Sequence, residues 1–202
     1  MVDEQLRGRG ITDARVLQAM AEIPREDFVP DDLKRAAYED SALSIGHGQT
    51  ISQPLVVASM TQALALSGDE NVLEIGTGSG YQAAILARLC RHVVTVEVVP
   101  QLAEAAAARL RRLGLANLEV AVGDGWNGWP PAAPYEGVLV ACAAPALPAP
   151  LLEQMTPAGR LVIPIGPEGG DQVLQLVRKD GRASDLFPVR FVPLRRGRSG
   201  GG

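Results

Sequence analysis

Cysteine is nearly absent from this 202-residue chain: Cys90 and Cys142 stand far apart, and neither belongs to a Cys-x-x-Cys pair. That argues against a disulfide framework and against structural zinc. Histidine is as scarce, with His47 and His92 alone, so no familiar His/Cys metal motif assembles. No apolar run approaches the ~18 residues that a membrane span needs. The first ten residues carry charges of both signs and no apolar stretch, which is unlike a secretory signal. A net charge of −4 excludes general electrostatic attraction to nucleic acid or to acidic membranes as the theme. What is present, 47% hydrophobic and 21% charged residues, is a globular composition. At roughly 100–200 residues per domain the length gives one domain. The expectation is a metal-free cytoplasmic monomer that buries its own core.

Apolar spacing predicts a helix over 11–23, with Thr12 as cap, Asp13 in the first turn and Pro24 as the stop. Residues 24–53 lack a long period and read as short helical turns and loops; so long an irregular stretch is often functional. Pro54 opens a second helix whose apolar face is Leu55, Val56, Met60, Ala63 and Leu64, closed at Gly68. The period then changes. Strands are expected at 71–75, 93–98, 118–122, 137–142, 160–165, 172–177 and 187–194. Helices are expected at 81–89, along the stripe Leu102, Ala106, Leu110 and Leu113 before Gly114, and at 147–154. Strands alternating with helices indicate an α/β fold with a mostly parallel, doubly wound sheet. The last strands follow without helices, so antiparallel edge strands are expected. Residues 1–70 form a helical N-terminal extension, 71–194 the core, and the Arg- and Gly-rich 195–202 a disordered tail.

Gly76-Thr77-Gly78-Ser79-Gly80 lies between a predicted strand and a predicted helix, where glycine permits a tight turn and close backbone approach to a ligand. Glu97 ends the next strand and is placed to accept hydrogen bonds from two ribose hydroxyls. Gly78, Gly80 and Ala83 also satisfy the dinucleotide pattern G-x-G-x-x-G/A, so a nicotinamide dehydrogenase is one reading. Two details favour another. Tyr81 and Gln82 crowd the turn where a pyrophosphate would approach. Glu74 adds a carboxylate that suits a cationic amine and sulfonium, the charge pattern of S-adenosylmethionine. Asp124, between Gly123 and Gly125 after the third core strand, can accept from an adenine amine.

These residues resemble the protein-L-isoaspartate O-methyltransferase family. VLEIGTGSGYQAA (72–84) is similar to that family's nucleotide-binding loop, and GQTISQP (48–54) is the more diagnostic match. DFVP (27–30), AYED (37–40), PAGRLVIPIG (157–166) and VRFVPL (189–194) extend the resemblance over residues 5–194. It implies a Rossmann-like class I methyltransferase fold. It also implies methyl transfer from S-adenosylmethionine to the free α-carboxylate of isoaspartyl residues, with a succinimide then forming unaided and some aspartate returning on hydrolysis. The cofactor residues it implies are Thr50, Ile51, Ser52, Glu74, Gly76, Thr77, Gly78, Ser79, Gly80, Tyr81, Glu97, Val98, Asp124 and Gly125. The peptide residues are Gln49, Ser52, Val192, Pro193 and Leu194. The chain departs from the family pattern at Ser44, His47, Leu55 and Arg195, all on the expected peptide side, which bears on substrate preference. A methyltransferase for a small carboxylate or amine is the alternative, and a non-catalytic binding module a further one.

The chemistry is compatible with so few catalytic side chains. A carboxylate of pKa near ~4 is ionised at neutral pH and needs no general base. Ser52 is the candidate to hold it through a neutral donor, with Thr50 assisting. Its position just before Pro54 also suits a plain helix cap, and both roles stay open. A Ser52–His47 nucleophile pair lacks an orienting acid.

Overall fold

The computed structural model describes residues 1–197. Seven strands form one sheet in the order β5-β4-β3-β6-β7-β8-β9. Its parallel part is β3 (Asn71–Ile75), β4 (His92–Glu97), β5 (Leu118–Val122), β6 (Tyr135–Val140) and the start of the edge region, β7 (Met155–Ile165). β8 (Gln172–Arg178) and β9 (Ala183–Val189) then add antiparallel, as the lack of helices between the last strands predicts. β3 and β5 keep their expected bounds, because each is a short run of apolar and β-branched residues between turn signals.

Helices cover both faces. α1 (Ala14–Glu22), α2 (Pro54–Leu64), α3 (Tyr81–Ala87) and α4 (Pro100–Arg112) pack on one, with Leu17, Met20, Met60, Ile85, Ala106 and Leu110 in the core. α5 (Ala149–Glu153) and the turns around Trp126 and Trp129 cover the other, over Leu73, Ile75, Val96, Val138 and Val140. Strand alternation sends neighbouring β3 side chains to opposite faces: Val72 packs under the first layer, and Leu73 and Ile75 under the second. No helix among the described residues is long and apolar enough to cross a membrane.

The structure corrects several local expectations. Asp13, not Thr12, caps α1, its carboxylate accepting from the amides of Arg15 (2.9 Å) and Val16 (3.3 Å). α2 stops at Ala65, which takes a left-handed φ of +50°, three residues before Gly68. Its buried face is Pro54, Val57, Ala58, Met60, Thr61 and Leu64, with Leu55, Val56 and Ala63 only half-buried. A helix apolar on nearly every side does not announce its inner face. The last strand ends at Val189, and the helix expected over 147–154 shortens to α5.

The largest correction lies in 24–53. Besides two 3-10 turns, it holds a hairpin of β1 (Leu43–Gly46) and β2 (Gln49–Ile51). Its two turn residues, His47 and Gly48, have φ of +53° and +69°, the conformation of a hairpin turn whose twist matches the strands. Of the tail expected to be disordered, Arg195–Gly197 are described, and the Arg196 guanidinium lies 4.8 Å from the Trp126 ring centroid. Residues 198–202 lie outside the described ones.

Candidate active site

In the sheet order, β3 leads to β4 on one side and has β6 on the other. Such a reversal opens a crevice beyond the carboxyl ends of the strands, where open α/β sheets bind ligands. A cleft of about 820 Å³, open mouth included, lies there. Its floor is the glycine loop after β3 (Gly76 to Ser79, then Tyr81 and Gln82) with Val96, Glu97 and Val98 at the end of β4. The hairpin and α2 form a second wall through Gln49, Thr50, Ile51, Ser52, Val57 and Met60. Gly125, Ala141, Cys142 and Val192 to Arg195 close the third.

The loop residues are held by the fold. Gly76 and Gly78 take φ of +94° and +52°, a backbone conformation that side chains rarely adopt. The main-chain amide of Gly78 donates to Glu97 Oε2 (2.8 Å), and that of Val99 to Oε1 (3.0 Å). Glu97 is therefore fixed between two amides while each oxygen keeps a lone pair for a ligand. Arg109 of α4 donates from Nη1 to the Ser79 carbonyl (2.6 Å) and stacks over Phe28 at 5.6 Å. Phe28 meets Tyr81 edge-on at 5.2 Å, and the fully buried Arg25 lies 5.0 Å over the same Tyr81 ring. This stack ties the N-terminal extension to the loop. None of it was legible in the local sequence, since its members are 25–109 in the chain and meet only in the fold.

Three of the expected ligand residues do not line the cleft: Glu74, Gly80 and Asp124. Glu74 lies furthest from the place that the sequence suggests. It is fully buried, and burial pushes its carboxyl up to about 8, against the hydrogen bond from Thr95. Thr95 Oγ1 donates to Glu74 Oε2 (2.5 Å) and meets Thr77 Oγ1 at 2.7 Å. Glu74 thus props the loop from beneath through Oε2, while its Oε1 is buried without a hydrogen-bond partner among the described residues. Gly80 serves packing: a Cβ there would sit 3.3 Å from Ala106 and Leu110 of α4. Asp124 caps the turn over Gly125–Asn127, accepting from the Trp126 amide at 3.0 Å, one residue from the cleft wall.

The structure also separates the two readings of Ser52. The N-cap of α2 is Gln53, without a side-chain cap bond. Ser52 is half-buried on the cleft wall, and its hydroxyl makes no hydrogen bond among the described residues. His47 sits exposed in the hairpin turn, and His92 Nδ1 meets Asn71 Oδ1 at 3.2 Å on the far side of the sheet. On the third wall, Leu194 donates to the Ala143 carbonyl (2.7 Å) and Val192 accepts from the Ala143 amide (2.8 Å). Trp126 Nε1 holds the Leu194 carbonyl at 3.1 Å. Cys142 is buried against this wall, and burial pushes its thiol up, away from reactivity. Among the described residues no three His, Cys, Asp or Glu side chains converge.

Comparison with known proteins follows the same outline. The family model for protein-L-isoaspartate(D-aspartate) O-methyltransferase matches residues 1–199. The protein-L-isoaspartate O-methyltransferase of Myxococcus xanthus is 53% identical over 197 residues, covering 95% of this chain and 93% of that one. That of Opitutus terrae is 54% identical over 199 residues, covering 97% and 85%. A solved protein-L-isoaspartate O-methyltransferase superposes with a TM-score of 0.87 at 28% identity, over 98% of this chain and 67% of that one. A Plasmodium falciparum structure, described as a putative protein-L-isoaspartate O-methyltransferase in complex with S-adenosyl-L-homocysteine, gives 0.80 at 25% identity, over 96% of both chains. With a family match over almost its whole length and relatives above half identity, the chain belongs to the protein-L-isoaspartate(D-aspartate) O-methyltransferase family.

Proposed function

We propose that this chain repairs damaged proteins by methylating the free α-carboxylate of L-isoaspartyl residues, with S-adenosylmethionine as donor. The observation that carries the reading is Ser52: a hydroxyl with no partner among the described residues, on the wall of the cleft that Glu97 and the glycine loop floor.

The residues fit the donor. Glu97 keeps one lone pair on each oxygen for the two ribose hydroxyls. The absence of Cβ at Gly76, Gly78 and Gly125 brings backbone close, and a Cβ on Gly125 would lie 2.3 Å from Ile75 Cγ2. Val98 and Gly125 offer apolar surface to a base, with Asp124 beside them. Thr77, Ser79 and Tyr81 belong to the loop, Gly80 and Glu74 hold its shape, Thr50 and Ile51 close the donor from the hairpin side, and Ser52 stands where donor and acceptor meet. When bound, S-adenosylmethionine supplies an electrophilic methyl on a sulfonium.

What remains for the protein is orientation, which contributes on the order of 7–11 kcal/mol in favourable cases. The acceptor carboxylate is already ionised, so Ser52 holds one oxygen with a neutral donor, leaving its charge available, and Thr50 assists. The peptide main chain lies between Gln49 and Val192, Pro193 and Leu194, through backbone hydrogen bonds. Part of that capacity is spent, because Val192 C=O and Leu194 N–H already pair with Ala143. The ester then closes to a succinimide without a further residue, and hydrolysis returns some aspartate. Two buried free cysteines suit a reducing, cytoplasmic setting, and the self-contained core suits a monomer.

The test is methyl transfer from labelled S-adenosylmethionine to matched isoaspartyl and aspartyl peptides. Label on the isoaspartyl peptide alone is expected. Label on neither, with the donor bound by calorimetry, would overturn the repair reading and favour a small-molecule acceptor.

A further inference from the structure

The cleft wall carries one cation among the described residues, Arg195, and it lies on the peptide side. Its side chain is exposed and makes no ion pair or hydrogen bond among the described residues. The one anion of the wall, Glu97, is engaged by the amides of Gly78 and Val99 on the floor.

Arg195 is also positioned. On its N-terminal side, Leu194 is buried and bonded through both main-chain groups, to Ala143 and to Trp126. On its C-terminal side, Arg196 stacks on the same Trp126 ring. The Arg195 guanidinium then reaches toward the opposite wall, where Nη2 lies 3.9 Å from the point a Cβ on Gly48 would occupy. It therefore spans the mouth between the Val192–Leu194 segment and the hairpin turn, the two walls between which the peptide runs in the reading above.

We propose that Arg195 is a specificity-determining residue that favours isoaspartyl peptides with a carboxylate on a residue adjoining the isoaspartyl. The proposal rests on the repair reading. Chemistry separates the two carboxylates. Methylation discharges the acceptor, so an ion pair with the acceptor itself would be stronger in the ground state than in the transition state and would slow transfer. A cation at the rim serves best on a second carboxylate that keeps its charge throughout. Exposed pairs of this kind are weak and salt-sensitive, which sets the size of the effect.

The experiment compares kcat/KM for isoaspartyl peptides with Glu, Gln or Lys immediately before or after the isoaspartyl, in the full chain and in Arg195→Ser and Arg195→Lys. At low salt, Glu over Gln is expected to gain about fourfold in at least one position, with Lys below Gln. High salt removes the preference. Arg195→Ser brings the Glu/Gln ratio to about one, and Arg195→Lys restores part of it. A ratio near one in the parent chain at both positions, or a preference that survives in Arg195→Ser, overturns the proposal while leaving the repair reading intact. Failure to methylate any isoaspartyl peptide, with the donor bound, overturns both.

Discussion

The two sides of the cleft differ in how their polar groups are spent. On the floor, nearly every such group already has a partner: Glu97 holds two amides, Thr77 and Thr95 chain to Glu74, and Arg109 holds the Ser79 carbonyl. On the hairpin and tail side, Ser52, Thr50, Gln49 and Arg195 make no side-chain hydrogen bond among the described residues, although they line the same space. A wall whose geometry is fixed by internal bonds can receive a constant ligand without reorganising. A wall of unspent donors suits a ligand that varies from one encounter to the next, as damaged peptides do.

Mutations on the floor should act on donor binding or on stability, and mutations on the opposite wall on transfer. The largest effect is expected at Glu97→Ala. It removes the ribose acceptor and leaves the amides of Gly78 and Val99 without their carboxylate, a loss of about 3 kcal/mol or roughly 100-fold in donor affinity by calorimetry. Retention of affinity within threefold would contradict the role of the floor.

Glu74 sharpens the contrast through pH. Its folded pKa, pushed up to about 8, lies above the ordinary carboxylate value of 4.5, so the folded state binds more protons than the unfolded state between those two values. Stability therefore falls as pH rises from about 4.5 to 8, because a buried group must ionise or stay protonated at growing cost. Glu74→Gln, neutral throughout, should gain on the parent across that window, by up to about 5 kcal/mol at its top. Parallel denaturation midpoints for the two proteins from pH 5 to pH 8 would show that Glu74 is ionised in the folded protein. Gly125→Ala should cost about 2 kcal/mol, since the buried, β-branched Ile75 cannot swing its Cγ2 away from a Cβ at 2.3 Å. For a chain of this size that is a fall in Tm of roughly 4–8 °C.

The same division marks what the sequence could disclose. The sheet and the loop were legible because strand runs such as 71–75 and 118–122, and the glycine cluster after the first of them, are local signals. The hairpin was not. Its strands are short and half-polar, and its turn pairs His47 with Gly48 in place of Asn-Gly or Asp-Gly. The Arg25–Tyr81–Phe28–Arg109 stack and the contacts of Leu194 and Arg196 with Trp126 join residues distant in the chain, which periodicity does not register. The burial of Glu74 is hidden for a related reason: a carboxylate beside a glycine loop looks open to a ligand until strand alternation turns it beneath the loop. Ser52 was ambiguous between cap and donor, and the structure frees its hydroxyl by making Gln53 the cap.

The independence of the two walls is tested most directly at Ser52, by measuring donor affinity and methyl transfer on the same Ser52→Ala protein. Loss of one hydrogen bond to the acceptor carboxylate predicts a fall of about 1.5 kcal/mol, roughly tenfold, in the rate of transfer to an isoaspartyl peptide, with the donor Kd changed by less than about threefold. A variant that loses donor affinity as much as transfer rate would contradict the division, and so would one that transfers methyl at the parent rate.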